Sequence, residues 1–227
     1  MKFGDELKRI HFLGETEASY KVNPLSAHFE VHIEQGPVLQ TENCPVGVVT
    51  GVQGALSLLE RVNMSPDTDH DFSKNIAMSW YNVVLRGREQ HCGTTPMTMR
   101  GDTLLSAARM ITAINTAALS TPNSVASVAV LNSTPQSINT LSGRVQFNID
   151  VRAYDDDVLE EIEKKIKIAC EEVAKLEGGA VRIETWDRFW TSKRVVFNED
   201  AVAAVRKAAE GSGFGFREMQ SGAGHDS

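Results

Sequence analysis

The chain has 227 residues, 41% hydrophobic and 23% charged, with a formal net charge of -7. Its length and composition suit one large globular domain or two modest ones, each with a real core. The negative charge argues against general affinity for nucleic acid or anionic membrane, which needs Lys and Arg to replace counterions on phosphates, so a small-molecule partner is expected.

From Glu6 to Gly14 the sequence predicts a short amphipathic stretch, and Asn23-Pro24 breaks the chain after it. Ala27, Phe29, Val31 and Ile33 then alternate as a strand would, which puts Glu30, His32 and Glu34 together on the opposite face. Gly36-Pro37 ends that strand, and a second β-rich run covers Val46 to Val52. The segment from Leu56 to Met78, with Ser65-Pro66-Asp67 and a polar run, has no periodicity and reads as a loop.

From Trp80 onward the pattern is regular. Trp80 to Leu85 predicts a strand, and Asp102 to Leu119 a helix with Leu104, Leu105, Ala108, Ile111, Ala113 and Ile114 as its apolar set. Val125 to Leu131 predicts a strand, and Val145, Phe147, Ile149 and Val151 mark another. Asp155 to Glu177 predicts a helix: three aspartates crowd its start, Val158, Ile162, Ile166, Ala169 and Val173 form a stripe, and Gly178-Gly179 stops it. With Val181 to Thr185 as a last strand, the order is βαββαβ, a two-layer unit of antiparallel sheet and two helices. Trp186, Phe189 and Trp190 follow that unit, then a helix from Glu199 to Glu210 and the glycine-rich end Ser221-Gly222-Ala223-Gly224-His225-Asp226-Ser227.

The three cysteines, Cys44, Cys92 and Cys170, lack CxxC spacing, so neither a disulfide framework nor a cysteine zinc site is indicated. They suit a reducing, cytoplasmic setting, and no apolar run is long enough to span a bilayer.

Several residues could carry chemistry. His32 stands beside a Gly-Pro turn where loops can converge, and an imidazole on a strand end makes a rigid metal ligand; a surface histidine on a polar face would look the same. His225 lies in a turn of small residues, with Asp226 placed to orient its ring. His91 begins His91-Cys92-Gly93-Thr94-Thr95-Pro96-Met97, a loop suited to oxyanion recognition or, equally, to capping the helix that follows. Arg152 shares the polar face of its strand with Asn148 and Asp150 and could bind a carboxylate or merely pair with Asp150. Asn139, in Ser137-Ile138-Asn139-Thr140, is a turn residue by default.

Taken in order, HIEQGPVL, GVVTGVQG, HCGTTPM with Arg100 and Asp102, FNIDVR and SGAGHDS resemble the M20-type N-carbamoyl-L-amino-acid hydrolase, β-ureidopropionase and allantoate amidohydrolase family over nearly the whole chain. HIEQGP speaks against an M20 aminopeptidase. The resemblance implies an α/β metallohydrolase in which fragments of a catalytic domain, residues 1–78 and 188–227, flank an inserted α+β lid and dimerisation domain, residues 79–187. It implies that His32 and His225 each bind one of two divalent ions, Zn or Mn. It implies that His91 polarises the scissile carbonyl in the partner subunit of a homodimer. Asn139 and Arg152 would hold the amide and carboxylate of the substrate, and Gln35 is a further substrate contact.

The expected reaction is hydrolysis of a linear carbamoyl or ureido C–N bond in a carboxylate-bearing small molecule. The family's HxDxxxxGGxxDG and Glu-Glu motifs are not present in these residues, so the expectation is a partial, inactive chain. Residues 56–78 stretch the spacing between His32 and His91 beyond the family pattern, so the resemblance implies that they are an insertion, and Cys92 stands where the family usually has alanine. A noncatalytic dimerisation module or pseudoenzyme is the alternative.

Overall fold

The cleanest alternation in the sequence becomes a central strand of the largest sheet. The computed structural model describes residues 2–15, 21, 24–52, 76–193 and 195–223. Its elements in chain order are α1 (Phe3–Arg9), α2 (Val38–Thr41), β1 (Val46–Val52), β2 (Ile76–Arg86), β3 (Gln90–His91), α3 (Thr103–Leu119), β4 (Ser124–Thr134), β5 (Thr140–Leu141), β6 (Arg144–Ala153), α4 (Asp156–Leu176), β7 (Arg182–Lys193), β8 (Val195–Val196), α5 (Glu199–Gly211) and β9 (Phe216–Ser221). They fall into two units, one of residues up to Ile33 and one from Glu34 onward.

In the first unit, α1 buries none of its residues and is tied by an Arg9–Glu6 pair one turn apart. The alternation at 27–33 does not become a strand. Residues 27–34 are in neither helix nor sheet, and Val31 and Ile33 are exposed. Alternation describes how a strand would be buried, but a strand also needs a neighbour for its backbone N–H and C=O groups, and none is paired with it among the described residues.

The second unit holds a four-stranded sheet in the order β4-β6-β2-β7, with every neighbouring pair antiparallel. Along β6, Val145, Phe147, Ile149, Val151 and Ala153 are buried against α3 and α4 while the residues between them are half-exposed. The α4 helix starts where Asp155 accepts a hydrogen bond from the Val158 N–H, and it buries Leu159, Ile162, Ile166 and Cys170. Gly178 and Gly179 follow it with positive φ, a backbone shape that costs glycine little.

Two expectations for this unit need correcting. On α3, Leu104 and Leu105 are exposed, whereas Thr103, Ser106, Ala107, Met110, Ile114 and Ala117 face the core. Small residues sit at the start of the buried face because Thr103 Oγ1 donates to the Ser142 carbonyl at 2.6 Å, which satisfies its hydroxyl inside the fold. The last strand is also longer than its apolar core suggested. Trp186, Phe189 and Trp190 lie within β7, where register shifts against β2 disturb the alternation.

A second sheet of the same unit, in the order β8-β1-β9, pairs β1 parallel to β9 and antiparallel to β8. Helix α5, capped by Asn198, packs Val202 and Ala209 against Val48. Of the expected insertion, residues 56–75 lie outside the described residues and the last three, 76–78, belong to β2. No helix of the described residues is long and apolar enough to cross a membrane.

Candidate functional site

In the first unit, His32 is exposed and its Nδ1 lies 2.7 Å from the Ile33 carbonyl oxygen. A carbonyl only accepts, so in the neutral ring Nδ1 carries the proton and the lone pair is at Nε2, the atom a metal ion would take. This is a fit for one ligand. Among the described residues no three His, Cys, Asp or Glu side chains converge as a metal site, and His225 lies outside the described residues.

Glu34, expected on a ligand-rich face, has another task. Its two carboxylate oxygens accept the N–H groups of Val38 and Leu39, both at 2.8 Å, so it caps α2. Between cap and helix, Gln35 adopts a left-handed backbone with φ of 55°, unusual for a residue with a side chain, and it is exposed. The HIEQGP motif is therefore built locally by a carboxylate cap and a tight turn.

His91 and Asn139 are brought together. β3 pairs with β5, which sets His91 opposite Thr140, and the Cys92 N–H donates to the Asn139 carbonyl at 2.8 Å. The ribbon continues β2 and β6 past their ends through Gly87, whose N–H bonds the Gly143 carbonyl. A side chain at Gly87 would begin 2.6 Å from the Gly101 carbonyl oxygen, so only glycine permits this passage.

The loop beyond is knitted by polar contacts: Arg100 donates to the carbonyls of Thr95 and Cys92, and Gln90 bonds both Met99 and Gly101. Asp102 then caps α3 by accepting from the Leu104 and Leu105 N–H groups. The expected capping thus falls to Asp102, and His91 is held separately from it.

The His91 ring is folded back on its own loop. Its Nδ1 accepts the N–H groups of Gly93 at 3.1 Å and Thr94 at 3.2 Å. A nitrogen that accepts cannot hold the proton, so the neutral ring is protonated at Nε2 and offers a donor there. Asn139 Oδ1 accepts from Ser137 Oγ at 2.8 Å, which leaves its amide N–H groups as donors. Two neutral hydrogen-bond donors therefore stand on one exposed ribbon, an arrangement suited to a carbonyl oxygen that gains negative charge.

Arg152 is held elsewhere. Its guanidinium forks onto Asp150, Nε to Oδ1 at 2.9 Å and Nη2 to Oδ2 at 2.6 Å, and Nη1 donates to the Gly222 carbonyl at 2.6 Å. The hydrogen bonds to Asp150 hold the guanidinium pKa above its ordinary value. Arg152 pairs with Met78 at one end of the β2–β6 ribbon, whereas His91 lies past the Arg86–Arg144 pair at the other. The eight positions between Arg144 and Arg152 span roughly 26 Å of extended chain. Within one chain the structure does not bring Arg152 to His91 and Asn139.

Sequence reasoning missed the backbone donors of Gly93 and Thr94, the Arg100 clamp and the Gly222 carbonyl. Only the Gly after His91-Cys92 hinted at them, because a small residue lets the ring lie over the backbone.

No protein-family model matches the chain. Over 225 residues, 99% of the chain and 47% of the relative, it is 36% identical to an N-carbamoyl-L-amino-acid amidohydrolase of Rhizobium meliloti. It is 28% identical over 214 residues to an allantoate amidohydrolase of Bacillus subtilis, covering 94% of the chain and 45% of that protein. A hydantoinase/carbamoylase family amidase from Burkholderia multivorans superposes with a TM-score of 0.77 and 34% identity, over 98% of this chain and 48% of that one.

These relatives are amidohydrolases acting on non-peptide C–N bonds. The chain is related to the hydantoinase/carbamoylase amidases, as the motif resemblance implied, and spans about half the length of the curated relatives it matches.

Proposed function

We propose that this chain contributes to a metal-dependent amidohydrolase that cleaves a carbamoyl or ureido C–N bond in an N-carbamoyl amino acid or an allantoate-like substrate. The observation that carries the reading is the His91 ring, fixed with its donor at Nε2 beside Asn139. In this role His91 donates to the oxygen of the scissile carbonyl as it gains charge, and Asn139 steadies the amide. Arg152 has five N–H donors, three of them used by Asp150 and Gly222, and the other two serve the substrate carboxylate. The strained, exposed Gln35 is a further contact.

His32 and His225 are the proposed metal ligands, one for each of two divalent ions, Zn or Mn, whose chemistry when bound is Lewis-acid polarisation of the carbonyl. The separation of His91 from Arg152 along the ribbon favours a homodimer in which each site draws His91 from the partner subunit, with residues 79–187 as the lid and dimerisation domain. We place the protein in the cytoplasm, where Cys44, Cys92 and Cys170 stay reduced.

With two histidines as its only proposed ligands, the 227-residue chain by itself is expected to form a dimer without turnover. The test is a titration of ¹⁵N-histidine-labelled chain with N-carbamoyl-L-alanine and with allantoate, alongside ammonia release in Zn²⁺ or Mn²⁺ and light scattering for mass. A His91 Nε2 resonance that moves with ligand supports the reading. A ring indifferent to saturating ligand, or a monomer, would sink it, and turnover with two tight metal sites would overturn the inactive assignment.

A further inference from the structure

The face of the four-stranded sheet opposite α3 and α4 carries an aromatic cluster beside Arg152. Tyr81, Val83 and Leu85 of β2 point into the helical layer, so Trp80 points to the other face. There it lies opposite Trp190 of β7, with ring centroids 4.7 Å apart. Phe189, at a register shift in β7, adds a third ring 6.1 Å from Trp80 and is 48% exposed. On its other side Trp80 lies opposite Asp150, the residue that holds the Arg152 guanidinium. Arg152 itself lies opposite Met78, so it stands diagonally from Trp80 on the same face, at a separation of about 7–8 Å for such neighbours, with Trp190 and Phe189 on the strand beyond.

That spacing suits one kind of molecule. An amino acid with an aromatic side chain carries a carboxylate and a ring a few bonds apart, and the guanidinium and the indoles on this one face can meet both. Charge alone does not provide the affinity, because Asp150 already balances the guanidinium and both groups are partly exposed to water. A carboxylate on Arg152 is oriented more than it is tightened, and the side chain must supply the selectivity.

We propose that Trp80, Phe189 and Trp190 form a side-chain subsite that selects N-carbamoyl amino acids with aromatic side chains, the carboxylate resting on Arg152. This rests on the reading of Arg152 as carboxylate anchor given above. A ring laid on the shelf is offset or tilted against the indoles, as Phe189 is, and removes apolar surface on both partners from water. Glycine derivatives and small polar ureides leave the shelf wet.

The test uses the 227-residue chain and its own fluorescence, since Trp80 and Trp190 are two of its three tryptophans. N-carbamoyl-L-phenylalanine, N-carbamoylglycine and 2-phenylethylurea are titrated in turn with excitation in the indole band. The phenylalanine derivative is expected to bind about tenfold or more tightly than the glycine derivative. Phe189→Ala should collapse that ratio severalfold, and Arg152→Gln should weaken both carboxylates by a common factor while sparing 2-phenylethylurea. Equal affinities in the unaltered chain, no saturable binding of the phenylalanine derivative, or a ratio that survives both Phe189→Ala and Trp190→Leu would overturn the subsite. An Arg152→Gln variant that binds all three ligands normally, with the ratio still sensitive to Phe189→Ala, would overturn the carboxylate anchor and leave the subsite standing.

Discussion

The protonation pattern of His91 can be tested without substrate or metal. Nδ1 accepts two backbone N–H groups at 3.1 and 3.2 Å, distances at the long end of the hydrogen-bond range. Each bond contributes about 0.5–1.5 kcal/mol net, and moving the proton to Nδ1 forfeits both and sets donor against donor. A total of about 1–2 kcal/mol favours the Nε2–H form by roughly 5- to 30-fold. Long-range ¹H–¹⁵N correlation at a pH where imidazoles are neutral reads this population directly. Gly93→Ala is the perturbation. A Cβ there would sit 3.2 Å from Cε1 and 3.5 Å from Nδ1 of His91, so the ring must move by a few tenths of an ångström. The Gly93 backbone is not in the left-handed region, so the added methyl is the only change. The Nε2–H majority should then shrink severalfold. A ring that is mainly Nδ1–H in the unaltered chain, or one whose signals ignore Gly93→Ala, refutes the geometry on which the oxyanion role rests.

Three further outcomes follow from the packing. Asp102→Ala removes a side chain that accepts two N–H groups at the start of α3 and should cost about 1 kcal/mol in urea unfolding, with helical content kept. Phe147→Ala empties a fully buried position in the middle of the core and should cost about 3–5 kcal/mol, a loss read as a lower denaturant midpoint. Cys170 gives a pH signature: burial pushes its thiol from 9.0 up to about 12. From pH 9 upward the unfolded chain releases a proton that the native chain keeps, so stability is full below pH 9 and falls by about 1.4 kcal/mol per pH unit toward pH 12. Cys170→Ala should flatten that decline at the start of the window. Above pH 10 Tyr81 adds to it, its hydroxyl raised first by burial and then by its hydrogen bond to Glu163.

What was legible depended on whether local pattern decided the structure. β6 could be read because every residue of it obeys one period, and α4 because its apolar residues, Ile168 excepted, keep to one side and its ends carry a cap and glycines. The buried face of α3 could not, because Thr103 and Ser106 enter the core through hydrogen bonds to the Ser142 and Asp102 carbonyls, and hydropathy scores them as surface. β7 was cut short because three register shifts interrupt its alternation. The site divides the same way. The His91 loop announced itself by its small residues, and Asp150 was visible as a partner two positions from Arg152. The Gly222 carbonyl, 70 positions away on Arg152 Nη1, has no local signal at all.

That last contact shapes how the site would work. Gly222 begins the turn in which the Ala223 N–H donates to Ser221 Oγ at 3.1 Å, and the turn leads on toward His225. Arg152 thus ties the sheet that carries the aromatic cluster to the approach of a proposed metal ligand, through one hydrogen bond of 2.6 Å. A substrate carboxylate that competed for Nη1 would loosen that turn, whereas one that used only the two remaining N–H groups would leave it fixed. Asp150 biases the outcome toward the second: by occupying Nε and Nη2 it prevents the guanidinium from rotating away from Gly222. On the proposed function, carboxylate recognition and the hold on the turn at Gly222 would depend on the same arginine, and lysine, a point charge without the fork, could not serve both.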